Sequence, residues 1–93
     1  MIDWKGIVKW GGQVNASDIF WKPGSEPHAR IRGVVQPIPE QDALTPDSTE
    51  AIARDLMDDA EWEEFQRYPE KDIGLTIEDS SRLRINVYRE RGN

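Results

Sequence analysis

Arg82-Leu83-Arg84-Ile85-Asn86-Val87-Tyr88 is the stretch on which the reading of the fold turns. Leu83, Ile85 and Val87 alternate with Arg82, Arg84, Asn86 and Tyr88, a strict period of two that puts three apolar side chains on one face of a strand and four polar ones on the other. Upstream, Ile73, Leu75 and Ile77 alternate in the same way, and Glu78-Asp79-Ser80-Ser81 is a turn. The pair reads as a hairpin with one face for a core and one for solvent.

Working outward, the period changes before this hairpin. Thr45-Pro46-Asp47 is a helix start: a capping hydroxyl, proline at the first helical position and a carboxylate in the first turn. It predicts a helix from 46 to about 58 with Ile52, Ala53, Leu56 and Met57 inward and Asp47, Glu50, Arg54 and Asp58 in water. Asp58-Asp59 caps a second short helix, with Trp62 and Phe65 on one face and an end at Tyr68-Pro69. Earlier still, Asp3 caps a helix carrying Trp4, Ile7 and Val8, which Gly11-Gly12 is expected to stop. Ser17 to Trp21 and His28 to Arg32 read as strands. Gly33 allows a tight turn into Val34 and Val35, and Pro37 and Pro39 end that hairpin. The order αββ, αα, ββ implies one α+β domain over residues 1–93, an antiparallel sheet with helices packed on one face.

Composition narrows the chemistry. The chain has 93 residues, 12 Lys+Arg against 18 Asp+Glu, one histidine and no cysteine, with a net charge of −6. Disulfides, thiolate metal sites and a cysteine nucleophile are therefore excluded, and the chain suits a reducing cytoplasm. No run approaches the ~18–20 apolar residues of a membrane span. Phosphate-loop, dinucleotide-binding and nucleophile-elbow motifs are absent, so no catalytic residue is assigned within this chain. The acidic residues around Asp58 to Glu64 lack the pattern of a calcium loop, and one histidine supplies too little for a transition-metal site, so no metal is expected. His28 reads as an ordinary surface histidine, and Trp4, Trp10, Trp21 and Trp62 as core or interface anchors.

Charge is unevenly placed. Residues 1–39 hold five cationic and three anionic side chains, 40–79 three against fourteen, and 80–93 four against one. The acidic middle argues against nucleic acid as a partner. Every late cation is an arginine: Arg82, Arg84, Arg89 and Arg91. Guanidinium groups suit bidentate contacts to phosphate or carboxylate. Two readings stand for them, a small anionic ligand or acidic partner, and cross-strand pairing with acidic neighbours such as Asp72 and Glu78.

Four blocks carry a resemblance: Ala16-Ser17-Asp18-Ile19, Pro27-His28-Ala29-Arg30-Ile31-Arg32-Gly33, Leu44-Thr45-Pro46, and Arg82 through Gly92. Their joint order over residues 5–92 resembles the N-terminal domain of the type IV pilus retraction ATPases, the PilT-type twitching-motility motors of the secretion-ATPase superfamily. The resemblance implies a PAS-like first domain, regulatory and oligomerising, that precedes a RecA-like ATPase domain absent from this chain. It implies that Arg82, Arg84, Arg89 and Arg91 are directed toward nucleotide at the domain junction in the complete motor. No cofactor is expected in the chain alone; ATP and Mg would serve the motor. Its partners would be the RecA-like domains of its own and the neighbouring subunit in a homo-hexamer and the pilus platform protein. The machine would be cytoplasmic and peripheral at the inner membrane. Met1 opens directly into the domain, which favours retraction over the extension and type II secretion branches. A free-standing PAS-like sensor or an acidic protein-interaction module is the alternative.

Overall fold

Asp3 begins the first helix, its carboxylate accepting the Gly6 N–H at 3.0 Å. The computed structural model describes residues 3–68, 70–76 and 82–89. In chain order these form α1 (Trp4–Gln13), β1 (Ala16–Trp21), β2 (His28–Ile31), β3 (Val34–Pro37), α2 (Pro46–Leu56), α3 (Asp59–Arg67), β4 (Glu70–Thr76) and β5 (Arg82–Tyr88). The fold class is α+β, as the sequence implies. The expected turn at Glu78 to Ser81 and the position of Ile77 lie outside the described residues.

Local signals and local structure agree at α2 and α3. Thr45 accepts the Ser48 N–H at 3.0 Å, with Pro46 at the first helical position. At α3 a full capping box forms: Asp58 accepts the Glu61 N–H at 2.7 Å and the Asp58 N–H donates to Glu61 at 3.0 Å. α1 departs from expectation, because it runs through Gly11 and Gly12 to Gln13 instead of stopping there. The reason is tertiary. A Cβ on Gly11 would lie 3.0 Å from the Ile19 Cδ1 and 3.5 Å from a Leu83 methyl, so glycine lets the helix lie directly on the sheet. The stop falls at Asn15, which takes the left-handed conformation at φ 59°. Arg32 also departs: it sits not in β2 but in the two-residue turn before β3, where it and Gly33 both have positive φ, 53° and 80°, as the primed hairpin turns require.

The sheet order is β3-β2-β1-β5-β4. Two antiparallel blocks, β1-β2-β3 and β4-β5, meet at a parallel pair, in which Asp18 lies beside Arg84, Ile19 beside Ile85, Phe20 beside Asn86 and Trp21 beside Val87. The expected all-antiparallel sheet is thus corrected to a mixed one. A parallel pair needs a long crossover, which the helical segment between β3 and β4 supplies. Burial explains why β1 and β5 take the middle: Ile19, Trp21, Ile85 and Val87 are all 0% exposed. These residues, with Ala29, Leu83 and Ile73, face Ile7, Ile52, Ala53, Met57 and Phe65 of the helical layer, and among the described residues no helix packs on the opposite, open face of the sheet. Of the edges, β4 carries Glu70, Lys71 and Asp72, which discourage further pairing, whereas β3 exposes Val34 and Val35. Among the described residues, no helix is long and apolar enough to cross a membrane.

Candidate functional site: the open face of the sheet

Alternation along each strand sends Asp18 and Phe20 of β1, His28 and Arg30 of β2, and Arg82, Arg84, Asn86 and Tyr88 of β5 to the open face. At its centre Asp18 is 2% exposed, although it lies on the face without helices. Four donors surround it. Arg84 Nε donates to Oδ1 at 2.8 Å and Asn86 Nδ2 to the same oxygen at 3.2 Å; the Ser17 hydroxyl donates to Oδ2 at 2.8 Å, and Arg30 reaches it at 3.4 Å. Three strands are thereby tied through one carboxylate. Burial pushes the Asp18 pKa up, but the hydrogen bonds from Arg84, Ser17 and Asn86 and the Arg84 charge outweigh it and hold the group below its ordinary value. The hydrogen bond to Asp18, with that residue's charge, raises Arg84 in turn. Nearby, burial followed by the charges of Glu70 and Asp72 raises the Tyr88 phenol, which stays protonated at neutral pH.

The four arginines have different surroundings. Arg84 meets Asp18 side-on through Nε, its side chain 55% exposed, and among the described residues its terminal NH groups meet no other acceptor. Arg82 opens β5, exposed, beside Thr76 of β4. Arg89 is turned to the helical side. It grips Glu50 through Nε at 2.9 Å and Nη2 at 2.8 Å, donates to the Phe65 carbonyl at 3.3 Å and lies 5.4 Å from the Phe65 ring centroid. Glu50 is therefore not the water-facing residue that helical periodicity implies, since one of its oxygens is fully buried. Arg91 lies outside the described residues. The structure thus brings Arg82 and Arg84 to one face and does not join Arg89 to them.

Arg84 does pair across strands, but with Asp18 beside it on the parallel neighbour β1; Asp72 contributes only a more distant charge, and Glu78 lies outside the described residues. Asp18 and Arg30 escape a linear reading because strand order, not spacing, makes them neighbours of Arg84. The available signal is Asp18 itself, the one charged residue in the strand Ala16-Ser17-Asp18-Ile19-Phe20-Trp21. Among the described residues, no three His, Cys, Asp or Glu side chains gather into a metal-binding group.

A crystal structure described as the pilus retraction motor PilT with bound ADP matches all of this chain and 27% of that chain, at a TM-score of 0.77 and 22% identity. This chain has the fold of a segment of PilT. The PilT likeness extends over the whole chain, in line with the resemblance carried by the sequence blocks. The chain spans about a quarter of the PilT chain's length (27%). No protein-family model matches the sequence, and no curated protein does.

Proposed function

We propose that the chain is the N-terminal regulatory and oligomerising domain of a hexameric pilus-retraction ATPase, without hydrolytic activity of its own. The observation that carries this reading is the likeness, over every residue of the chain, to a motor crystallised with ADP. In this reading Arg84, with Arg82 beside it on the open face, is presented to nucleotide bound by an adjoining ATPase domain. A guanidinium brought up by a moving domain stabilises the charge that develops on a transferred phosphoryl group, and so couples ring closure to hydrolysis. Asp18 holds Arg84 by one nitrogen, which orients the fork without consuming it. Arg89 is a brace between β5 and the helices, and the helical layer is available for docking on the neighbouring subunit.

In a motor that carries this chain as its first domain, Arg84→Ala should lower ATP turnover by about tenfold or more while ring assembly, followed by sedimentation, persists. The chain alone should show no turnover. Unchanged hydrolysis in the Arg84 variant removes that residue from the catalytic role. The sensor alternative calls for a ligand cavity within the fold, and there Ile19, Trp21, Ala29, Ile85 and Val87 are packed to 0% exposure.

A further inference from the structure

A groove of about 310 Å³ crosses the open face, lined by Phe20, Lys22, His28, Arg30, Val35 and Tyr88, with Ser25 and Glu26 at one end. We propose that this groove docks an acidic segment of a partner protein, one in which a carboxylate side chain stands next to an aromatic or branched apolar one.

The argument begins with charge. Asp18 offers one negative charge to two guanidiniums, and its two oxygens already receive four donors. The charge of Asp72 also reaches Arg84, so the less committed cation is Arg30: it reaches Asp18 at 3.4 Å against 2.8 Å for Arg84, and its side chain is 39% exposed. Arg30 is also poised over the Phe20 ring, 5.5 Å from the centroid, which places its charge above an apolar floor. Lys22 and His28 stand along the same lining, with Glu26 as the single acid among these residues. An incoming carboxylate meets a planar donor it can engage bidentately, beside a second cation.

Size and apolar character decide what accompanies that carboxylate. The volume lies at the lower end of the ~300–1,000 Å³ found for small-molecule sites, room for one or two side chains. Val35, 48% exposed on the β3 edge, and the rings of Phe20 and Tyr88 form an apolar seat for the neighbouring side chain. The two-residue turn at Arg32-Gly33 makes Ile31 and Val34 a hydrogen-bonded pair, so Val35, opposite Arg30, belongs to a non-hydrogen-bonded pair. Its N–H and C=O therefore face outward at the sheet edge, where the partner's backbone can bond to them. The proposal concerns a different contact from the Arg84–nucleotide reading and stands without it.

The test uses the complete ¹⁵N-labelled chain and two probe peptides, acetyl-Asp-Phe-Glu-Leu-Asp-amide and its counterpart with lysine for every acid. The acidic peptide should shift the backbone amides of Phe20, Arg30 and Val35 saturably, with weaker binding as salt rises. Arg30→Glu combined with Lys22→Glu should weaken it by about tenfold or more. Val35→Asp, at an exposed position outside the Asp18 cluster, should do the same with the rest of the spectrum unchanged, so a folding defect in the double variant does not decide the outcome. Equal binding of the lysine peptide, no saturable shift at millimolar peptide, or shifts at these amides from self-association of the chain alone would overturn the proposal.

Discussion

Asp18 shows how one side chain can organise a sheet face. Its carboxylate lies where β1, β2 and β5 run side by side, and an amide in its place keeps one acceptor oxygen but turns an NH2 group toward donors and removes the charge that two guanidiniums share. Asp18→Asn should cost about 2 kcal/mol at neutral pH, measured by urea denaturation. The folded-state pKa is depressed, so the stabilisation is fully present above the ordinary value of 3.8 and is lost as pH falls through the lower folded value. The Asn variant should lack that acid-side decline, and an unaltered decline would refute the assignment. Arg32 is the opposite case, a residue at odds with its backbone. With φ at 53° in a primed turn it occupies a position that favours Asn or Gly, and Arg32→Asn should raise stability by about 0.5 kcal/mol, seen as a higher Tm. Neither property is visible at the residue alone. Asp18 needs the strand order, while the turn reading of Arg32 depends on where β2 ends.

At the scale of elements, α2 and α3 are the most legible parts of the chain because their start signals act over three or four residues. Thr45→Ala and Asp58→Ala should each cost about 1 kcal/mol, and the effects should add, since each cap serves its own helix end. Amide exchange should accelerate first at Ser48 and Glu61, respectively, the N–H groups that lose their acceptors. α1 was less legible. Gly11-Gly12 has the form of a helix stop, yet Gly11 is what the helix needs where it lies directly on Ile19 and Leu83. Local propensity and tertiary approach make opposite demands on one dipeptide, and burial of the apolar face wins. The period-two strands β4 and β5 were legible for the converse reason, since their inward residues alternate without exception through Ile73, Leu75, Leu83, Ile85 and Val87.

For the whole molecule, the β1–β5 pair joins two blocks that would otherwise each expose an apolar face. Ile85, buried at that seam and aligned with Ile19, should when changed to Ala cost about 2–5 kcal/mol. Tryptophan fluorescence and far-UV circular dichroism should report one coincident transition in this variant as in the parent, because neither block has a core of its own. Two separated transitions would mean that the blocks fold independently. Arg89 acts at the same scale. Its ion pair with Glu50 and its bond to the Phe65 carbonyl link β5 to both α2 and α3, and Arg89→Ala should cost about 2 kcal/mol by leaving a partly buried carboxylate without its cation. Arg84→Ala removes the shortest cation contact of Asp18, which is 2% exposed, but Asn86, Ser17 and Arg30 still donate to that carboxylate, so the loss should be about half that of Asp18→Asn, and a cost equal to that of Asp18→Asn would show that those three donors do not compensate.

What the amino-acid order determined unaided is the inventory: three helices with their caps, two strand-rich segments with a helical stretch between them, and the division of each strand into an apolar and a polar face. These follow from contacts within a few residues and from periodicities that a linear chain displays openly. Tertiary structure alone decided which strands are neighbours, that the central pair is parallel, that a helix passes through Gly11-Gly12, and that Asp18 rather than Asp72 holds Arg84. Each of these joins residues far apart in the chain, and the pairing that buries Ile19, Trp21, Ile85 and Val87 together is selected by the burial of the whole core, which no short stretch encodes.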